Sequence, residues 1–576
     1  MDLSLRLPHL RISPLRQTAA HIIVGFILLL ANVAVLASQS VHTQPPAAAI
    51  ASAHPLATQA GHAILAQGGN AFDAAIAVSA ALAVVEPTGS GFGGGGFWLL
   101  HRVRDNFQTM IDGREQAPQA AHRDLYLDKQ GQVIAGLSLN GPLAAGIPGQ
   151  AAALDHLARH YGKLPLAKSL APAIRLARDG FNIDSRYRNM ARWRLKALQQ
   201  SPAAAAIFLD HNELPATGFL LRQPDLANTL QTLAQHGHDG FYKGSVAQQL
   251  VSGVRAAGGI WTLQDLADYK IIERQPIRGN YRGLTITSAA PPSSGGIALL
   301  TMLNILSGYD LNNMDNVERK HLIIEAMRRA YRDRAEYLGD PDYITVPVQK
   351  LTNPYYGAGL AASIRLDRAT HSQQLPGSVD SDGGSDTTHF SIIDKDGNRV
   401  AATLSINYPF GSGFVAPGTG VLLNDEMDDF SSKPDTPNGY GLVGGEANAI
   451  APGKRPLSSM SPTFIEDDKR IAILGTPGGS RIITMVLLGI LDFAEGNNPD
   501  SWVSLPRFHH QFLPDQVSYE TDALTAEEIT ALEQRGHTLK ARKRKYGNMQ
   551  AILWNKKNNT VNAASDPRGN GLAEVK

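Results

Sequence analysis

The chain has 576 residues, which is enough to bury a large core in one or several domains. Its 53 Lys and Arg residues almost equal its 52 Asp and Glu residues, so no global positive field indicates a nucleic-acid partner. The absence of cysteine excludes disulfides, thiolate catalysis and Cys-ligated metal centres.

The N-terminal segment has the pattern of an export signal. Three arginines precede an apolar stretch over residues 22–37 that ends in small residues. Residues 1–37 are therefore predicted to be a signal peptide, and the protein is predicted to be exported to the periplasm. The apolar stretch, at about sixteen residues, is just short of a membrane span, so an uncleaved N-terminal anchor is the alternative. Residues 38–50, rich in Ala, Pro, Ser and Gln, are predicted to be a linker.

Helical patterns dominate the large N-terminal part of the chain. From residue 51 the small-residue pattern indicates helices, the second of which is predicted over residues 71–85. Farther on, the clearest helices are predicted over residues 151–160, 165–178 and 319–338, and another from Ile297 after the segment 291–296.

A glycine-rich segment at residues 89–94 formally matches the dinucleotide-binding pattern. That motif needs a strand before it and a helix after it, whereas here a helix precedes and a strand is predicted over residues 97–103. The glycines are instead predicted to form a tight turn beneath a site. The sequence also has no P-loop and no EF-hand spacing, and His509-His510 lacks a third ligand at recognisable spacing. No cofactor or metal is expected.

Two charged motifs each allow two interpretations. Arg114 lies between Asp112 and Glu115, where it forms either a solvated ion pair of little energetic value or a bidentate clamp for a substrate carboxylate. Residues 424–430 contain four carboxylates, which form either a solvated acidic turn or a group that receives a substrate ammonium.

The segment around Thr387 predicts a hairpin entered from an exposed loop. Residues 388–394 and 399–407 have extended patterns joined by an Asp-Gly turn, and the residues before them are small and polar. If the chain were cut after Asp386, Thr387 would carry a hydroxyl and a free α-amine with a pKa of about 7.7 to 8.0. That amine could act as general base for its own hydroxyl. The alternative is that a Thr-Thr pair is simply good strand material.

A Gly-Gly turn lies between a short strand predicted over residues 471–474 and an apolar run over residues 482–491. The backbone N–H groups of Gly478 and Gly479 form either an ordinary helix start or an oxyanion hole. Upstream, residues 458–463 contain four hydroxyl side chains before another apolar strand.

In combination, these motifs resemble the γ-glutamyltranspeptidase family from about residue 51 to residues 564–568. The most specific motifs, in family order, are residues 112–115, 291–296, 387–391, 428–431, 455–462 and 477–481. The resemblance implies an N-terminal-nucleophile hydrolase, an α+β protein with a four-layer αββα sandwich built from two chains cut from one precursor. A large subunit of residues 51–386 would pair as a heterodimer with a small catalytic subunit of residues 387–576.

The resemblance also implies a role for each site residue. Thr387 would be the nucleophile, its new amine the base, and the N–H groups of Gly478 and Gly479 the oxyanion hole. The remaining residues would bind the γ-glutamyl group: Arg114, Ser458 and Ser459 its α-carboxylate, and Asn407, Glu426 and Asp429 its α-ammonium.

Two further positions, Tyr440 and Ser405, bear on this assignment. Tyr440 lies in a Pro/Gly/Asn-rich segment over residues 434–445 that is long enough to act as a lid. Ser405 stands where many family members have a second threonine that hydrogen-bonds the nucleophile. Serine keeps the hydroxyl and loses the methyl that restricts its rotamer, so we expect function to be retained, with the rate of processing or turnover open.

The activity implied is a self-processing γ-glutamyltransferase and glutathione hydrolase. It would pass the γ-glutamyl group of glutathione or a related donor, through a Thr387 acyl-enzyme, to water or to an amino acid or dipeptide amine. One alternative is a same-fold acylase for glutaryl-type (cephalosporin) side chains, against which Glu426, Asp429 and Tyr440 argue. The other is an unprocessed, non-catalytic binding protein, against which Thr387 and the two glycines argue.

Overall fold

The computed structural model describes residues 42–375, 387–433 and 445–576. The predicted signal peptide, Asp386 and Tyr440 lie outside the described residues. Across those three ranges, no helix is both long enough and apolar enough to cross a membrane.

The strands are numbered in chain order. They are β1 (Ala49–Ser52), β2 (Gly95–Arg102), β3 (Phe107–Gly113), β4 (Phe181–Asn182), β5 (Leu220–Leu221), β6 (Ile272–Arg274), β7 (Ile277–Tyr281), β8 (Leu284–Ser288), β9 (Thr388–Ile393), β10 (Arg399–Ser405), β11 (Thr463–Glu466), β12 (Arg470–Gly475), β13 (Phe508–His509), β14 (Val517–Glu520), β15 (Leu539–Arg542), β16 (Gln550–Asn555), β17 (Thr560–Ser565) and β18 (Leu572–Val575).

The helices are numbered in the same way. They are α1 (Pro55–Ala66), α2 (Ala71–Val85), α3 (Gln150–His160), α4 (Leu166–Asp179), α5 (Ser185–Gln200), α6 (Pro202–Phe208), α7 (Pro224–His236), α8 (His238–Tyr242), α9 (Gly244–Ala256), α10 (Leu263–Asp268), α11 (Gly295–Leu306), α12 (Asn316–Tyr337), α13 (Val348–Leu351), α14 (Pro354–Ala361), α15 (Ile482–Ala494), α16 (Pro499–Ser504) and α17 (Ala526–Gln534).

Two antiparallel sheets stack face to face at the centre of the molecule. The first has seven strands in the order β18-β1-β9-β10-β2-β3-β6, and the second has six in the order β17-β16-β12-β11-β8-β7. Strands β9 and β10 of the first sheet contact β12 of the second. Helix α2 covers the outer face of β9 and β10, while α11 and α15 cover the second sheet. The predicted four-layer αββα architecture is confirmed.

The apolar composition of β10 explains its central position. Val400, Ala402 and Leu404 pack with α2 on the outer face, whereas Ala401 packs into the core between the two sheets. Because β10 is buried on both faces, its apolar residues occupy both faces instead of alternating strictly with polar ones, and Thr403 is the one polar residue between them. All fifteen residues of α2 are likewise buried, as expected for a helix that is apolar on every side.

The predicted hairpin forms β9 and β10, but its second strand ends at Ser405 rather than at residue 407. Asn407 has a φ of 71°, in the left-handed region that an extended strand excludes. The turn is fixed by Asp394, whose Oδ1 accepts from the N–H groups of Asp396 and Asn398 at 3.0 and 2.9 Å. Its Oδ2 accepts from the N–H of Ala71 at 2.9 Å, which joins the turn to the start of α2.

The predicted linker and first helix have different bounds in the structure. Residues predicted as linker up to position 50 include the start of β1, which is fully buried. Helix α1 begins only at Pro55, with His54 as its N-cap. The strand exists because β1 pairs with β9 on one side and with β18 on the other, and both partners are distant in sequence. A local composition of Ala and Pro does not reveal such pairing.

Candidate active site

Thr387 lies immediately before β9, and 4% of its surface is exposed. The hydroxyl of Thr388, the next residue, donates to Oε2 of Glu86 at 2.6 Å, and Glu86 is the C-cap of α2. The glycine-rich turn that follows α2 lies against the same backbone. A Cβ on Gly89 would lie 3.1 Å from the carbonyl oxygen of Thr387, and a Cβ on Gly94 would collide with that of Ser405. The prediction of a tight glycine turn beneath the site agrees with this packing.

A small cavity of about 20 Å³ opens beside Thr387. Its lining comprises Arg114, Arg334, Thr387, Ser405, Asn407, Asp429, Ser458, Ser459, Met460, Gly479, Ser480 and Ile482. Most of the residues singled out from the sequence therefore meet in one place. Gly478 precedes Gly479 in the chain, and Glu426 reaches the cavity through Arg114.

Arg114 is a buried guanidinium surrounded by carboxylates. Its Nη1 donates to Oε2 of Glu426 and its Nη2 to Oδ2 of Asp429, both at 2.5 Å, and Nη1 also lies 3.4 Å from Oε2 of Glu115. Burial by itself would lower the pKa of Arg114, but the attraction of these carboxylates outweighs it and raises the pKa. A solvated surface ion pair is excluded, because only 1% of the Arg114 side chain is exposed.

The acidic cluster is buried rather than solvated, and its members divide into two groups. Asp425 accepts from the N–H of Tyr408 at 3.0 Å and Asp428 accepts from the Ser138 hydroxyl at 2.6 Å, so these two support the backbone. Glu426 and Asp429 instead face Arg114. Burial raises the pKa of Glu426 well above its usual range, with Arg114 opposing the shift.

Glu115 is the third carboxylate next to Arg114. Burial raises the pKa of Glu115 to about 7, again against the attraction of Arg114. Within the described ranges, Oε1 of Glu115 and Oε1 of Glu426 are buried and have no hydrogen-bond partner. Two carboxyl oxygens next to Arg114 are therefore left to accept hydrogen bonds from a cationic ligand group.

The two serines lie on a loop that the Pro-Pro-Ser-Ser-Gly-Gly segment holds in place. Backbone hydrogen bonds of 2.8 Å join Ser458 N–H to the Pro292 carbonyl and Ser294 N–H to the Ser458 carbonyl. The hydroxyls of Ser293 and Ser294 donate to the carbonyls of Met460 and Ser458, each at 2.7 Å. The motif at 291–296 had no role assigned from the sequence, and the structure shows that it braces the serine loop.

The Gly-Gly turn adopts a backbone that only glycine takes readily. Gly478 has a φ of 148° and Gly479 a φ of 57°, and a short 3-10 turn then leads into α15. In the described part of the chain, the N–H groups of these two glycines have no backbone acceptor. Unpaired N–H groups occur at an ordinary helix start and are also what an oxyanion hole requires, and the place of Gly479 in the cavity lining with Thr387 agrees with the second interpretation.

Ser405 and Asn407 form the remaining wall. The Ser405 hydroxyl accepts from the N–H of Asn407 at 2.8 Å, and the side-chain amide of Asn407 donates to the carbonyl of Asp425 at 2.9 Å. Their positions follow directly from the end of β10.

His509 and His510 have packing partners rather than metal ligands around them. Nδ1 of His509 lies 2.9 Å from the Thr484 hydroxyl, and Nε2 of His510 lies 3.2 Å from Oδ1 of Asp515. Among the described residues, no group of three or more His, Asp or Glu side chains could hold a metal ion.

Two site residues were not predicted, Tyr331 and Arg334, and both lie on α12. The hydroxyl of Tyr331 donates to the carbonyl of Ser480, next to the Gly-Gly turn. Arg334 donates to the hydroxyls of Ser294 and Ser459. The helix itself was predicted, and the two residues share one face at i, i+3 spacing. Nothing in the local sequence indicates that this face meets the site.

The chain matches the family model described as gamma-glutamyltranspeptidase over residues 57–575. It is also similar to the glutathione hydrolase proenzyme of Escherichia coli (strain K12), with 44% identity over 525 residues that cover 90% of each chain.

Two solved structures have the same architecture. A cephalosporin acylase from Bacillus halodurans has a TM-score of 0.81 and 28% identity, covering 92% of this chain and 96% of its own. A chain of Helicobacter pylori gamma-glutamyltranspeptidase has a TM-score of 0.55 and 39% identity, covering 56% of this chain and 94% of its own. Sequence identity is thus higher to the transpeptidase, while the acylase shares nearly the whole fold.

Proposed function

Because the chain belongs to the γ-glutamyltranspeptidase family, we propose that it is a self-processing enzyme that cleaves the γ-glutamyl amide bond of glutathione and related compounds. The observation that carries this proposal is the cavity beside Thr387. It combines a threonine hydroxyl with a guanidinium, two carboxylates, two serine hydroxyls and an unpaired pair of glycine N–H groups. The name of the Escherichia coli relative states the same activity for that protein.

Activation requires cleavage between Asp386 and Thr387. In the intact chain the nitrogen of Thr387 is an amide and has no basic lone pair. Once the peptide bond is cut, the new α-amine has a pKa of about 7.7 to 8.0 and can accept the proton of its own hydroxyl. Nucleophile and base then belong to one residue.

Substrate binding rests on charge matching. The head of a γ-glutamyl group carries one carboxylate and one ammonium, and the wall offers Arg114 with two serines for the first and Glu426 with Asp429 for the second. Asn407 adds a side-chain amide at the ammonium end. When this zwitterion binds, its α-carboxylate pairs with Arg114 and its α-ammonium pairs with Glu426 and Asp429. The γ-carbonyl is then held at Thr387.

The reaction then proceeds in two balanced steps. The Thr387 oxygen attacks the γ-carbonyl carbon as the α-amine takes the hydroxyl proton, and the N–H groups of Gly478 and Gly479 stabilise the oxyanion. The C–N bond breaks, the leaving amine takes that proton, and an ester remains on Thr387. Water or an amino acid or dipeptide amine attacks the ester and gives a proton to the α-amine. The bond from the acyl carbon to the Thr387 oxygen breaks, and the α-amine passes that proton to this oxygen, which restores the hydroxyl.

A same-fold acylase is the second candidate, and the similarity to the Bacillus halodurans acylase is the observation in its favour. A glutaryl side chain has no ammonium. It would therefore offer no ammonium to Oε1 of Glu426, which has no hydrogen-bond partner among the described residues, and its own carboxylate would compete with Glu426 and Asp429 for Arg114. This cost favours a γ-glutamyl substrate.

Location and assembly complete the proposal. Three arginines and an apolar stretch at the N-terminus support export to the periplasm, with an uncleaved anchor as the alternative. The large and small subunits produced by the cut would remain together as a heterodimer.

The decisive experiment is mass spectrometry and N-terminal sequencing of active protein, followed by an activity assay. We expect a subunit that begins Thr-Thr-His-Phe-Ser, release of 4-nitroaniline from L-γ-glutamyl-4-nitroanilide, and faster release when glycylglycine is added as acceptor. Release from a glutaryl anilide alone would favour the acylase. A single uncut and inactive chain would support the non-catalytic alternative.

The matched variant for this experiment is Thr387→Ala, which should remain a single chain. Efficient cleavage of the 386–387 bond in that variant would show that Thr387 is not the agent of processing. Thr388→Ser keeps the adjacent hydroxyl and should still be processed.

A further inference from the structure

Arg334 projects from α12 into the wall of the cavity, and only 4% of it is exposed. Its Nε donates to the Ser294 hydroxyl at 3.0 Å, and its Nη2 donates to the Ser459 hydroxyl at 3.2 Å. The guanidinium thus joins the bracing segment at 291–296 to the serine loop at 457–462. Neither the sequence motifs nor the comparisons assign it a function.

The charge of Arg334 is not neutralised in the way that the charge of Arg114 is. Arg114 contacts three carboxylates, whereas no carboxylate of the described residues forms an ion pair with Arg334. Burial lowers the pKa of Arg334; Tyr331 and Asp429 oppose this shift, and the positive charge of Arg114 adds to it. An arginine is still protonated under these conditions, because the ordinary value exceeds 12. A buried positive charge without a partner is costly unless an anion approaches it.

The hydrogen bond to Ser459 sets the direction of a proton. A serine hydroxyl has one donor and two acceptor sites, and a guanidinium only donates. Since Nη2 of Arg334 occupies an acceptor site of Ser459, the Ser459 proton cannot point at Arg334. In the described ranges this hydroxyl donates to no protein acceptor, and Ser459 lines the cavity. The proton is therefore free to be donated to a ligand oxygen.

From this geometry we infer that Arg334 is a positioning residue for the α-carboxylate of the donor, acting through the Ser459 hydroxyl. The guanidinium orients Ser459 so that its proton faces the carboxylate, and it adds a second positive charge behind that hydroxyl. Arg114 contacts the carboxylate directly, and Arg334 makes the serine side of the pocket electropositive. This inference rests on the proposed function, because it concerns the same donor and the same pocket.

The test is a double-mutant cycle on the purified, self-cleaved enzyme with L-γ-glutamyl-4-nitroanilide as donor. We expect Arg334→Gln to raise KM about 10- to 100-fold while kcat changes less than about threefold, because the hydroxyl binds the carboxylate in ground and transition states alike. Ser459→Ala should raise KM to a similar extent. The double variant should resemble the stronger single variant rather than their product, because both changes remove one interaction.

Arg334→Lys and Arg332→Gln complete the design. Lysine keeps the charge and should recover part of the KM loss, although it cannot donate to both serines in the fixed geometry of a guanidinium. Arg332 is two residues away on α12, pairs with Asp333 at 3.0 Å and lies outside the cavity lining, so its variant should keep the wild-type KM.

Four results would overturn the inference: an unchanged KM in Arg334→Gln, a loss confined to kcat, effects that multiply in the double variant, or failure of both Arg334 variants to self-cleave while Arg332→Gln is processed. The last result would assign Arg334 to folding or processing. Wild-type protein that releases no nitroaniline would instead refute the proposed function itself, so the two failures are distinguishable.

Discussion

Asn407 is a non-glycine residue in the left-handed region, with a φ of 71°, at the wall of the cavity. Such a conformation costs free energy and persists only where its surroundings fix it. Here the Ser405 hydroxyl accepts from its N–H, and the Asp425 carbonyl accepts from its side chain. The side chain at position 405 therefore helps to place the Asn407 amide, which we propose binds the substrate, in addition to any contact with Thr387.

Removing the Ser405 hydroxyl should slow the enzyme. In Ser405→Ala the N–H of Asn407 loses its acceptor, and we expect kcat and the rate of self-cleavage to fall about 3- to 10-fold, the effect of one net hydrogen bond. Ser405→Thr keeps the hydroxyl and restricts its rotamer, so it should stay within about threefold of the wild type. Gel densitometry of precursor conversion and steady-state kinetics measure both rates. Wild-type rates in Ser405→Ala would contradict this role.

Two adjacent aspartates allow a sharper test of the ammonium pocket. Asp429 accepts from Nη2 of Arg114, whereas Asp428 accepts from Ser138. Asp429→Asn removes the charge that would meet the α-ammonium, and we expect KM for the donor to rise about 10- to 100-fold with a small change in kcat. Asp428→Asn keeps an acceptor for Ser138 and should change KM less than about threefold. Equal effects of the two substitutions on KM would refute the assignment.

For single residues, Arg114 shows what the sequence alone could not predict. The chemistry of a bidentate clamp can be proposed from Asp112-Gly113-Arg114-Glu115, but the choice between clamp and surface ion pair depends on burial. That burial comes from Glu426, Asp429 and the Pro456 carbonyl, more than 300 residues away in the chain. Only the family resemblance supplied this information in advance.

Helix α12 connects two parts of the site. Tyr331 holds the carbonyl of Ser480 beside the Gly-Gly turn, and Arg334 holds Ser459 in the serine loop. The two residues lie one helical turn apart on the same face. One helix thus contacts both the Gly-Gly turn and the serine loop, and under the proposed function it would set the distance between the oxyanion hole and the carboxylate pocket.

The backbone of the Gly-Gly turn allows a test of the proposed oxyanion hole. Gly478 has a φ of 148°, which a residue with a Cβ rarely adopts, so Gly478→Ala should strain the turn and displace the N–H groups proposed for the oxyanion hole. We expect kcat to fall about 100- to 1,000-fold, as when one oxyanion donor is lost. Gly496 has a φ of 93° with open space around it, which makes Gly496→Ala the matched control.

That control should cost about 1 kcal/mol of stability and leave kcat unchanged. Thermal melting and steady-state kinetics on both variants separate backbone strain from loss of the oxyanion hole. If Gly478→Ala retained the kcat of the wild type, these N–H groups would not form the oxyanion hole.

Elements were predictable where their signal is local. The β9–β10 hairpin follows from alternation and an Asp-Gly turn, and α2 follows from the stop at residues 68–70, an apolar run and Pro87; the structure adds that Asn70 caps α2. Strand β1 was not predicted, because it forms by pairing with β9 and β18, which are distant in sequence. The same reason explains why the role of residues 291–296 was not foreseen: their partners are in a loop more than 160 residues later.

For the whole molecule, the layer order came from the family resemblance, which the family match and the sheet topology confirm. Local patterns alone give strands and helices without the order in which the strands pair. The first sheet joins strands from both ends of the chain, and no periodicity encodes such contacts.

The dependence of stability on pH should show two opposite trends. Burial raises the pKa of Glu115 to about 7, so its contribution to stability is present below about 4.5 and is lost as the pH rises through 7. Burial lowers the pKa of His101 to about 3, so its contribution is present above about 6.5 and is lost as the pH falls towards 3.

Single variants isolate these two trends. Relative to the wild type, Glu115→Gln should gain thermal stability between pH 5 and pH 8, whereas His101→Gln should lose it over the same interval. Differences in Tm at the two pH values, measured in one buffer series, check both signs. The same sign in both variants would contradict the assignment of these pKa shifts.

Strands from the two sides of residue 387 alternate within the sheets. Proceeding from β18, the first sheet places a strand from after this residue, one from before it, two from after it and three from before it. Ladders between the two parts join β18 to β1, β1 to β9 and β10 to β2, and β11 to β8 in the second sheet. If this single peptide bond were cut, the two resulting polypeptides would each supply strands that hydrogen-bond to strands of the other. We expect them to elute together in native size-exclusion chromatography and to come apart only when denaturant melts the shared ladders.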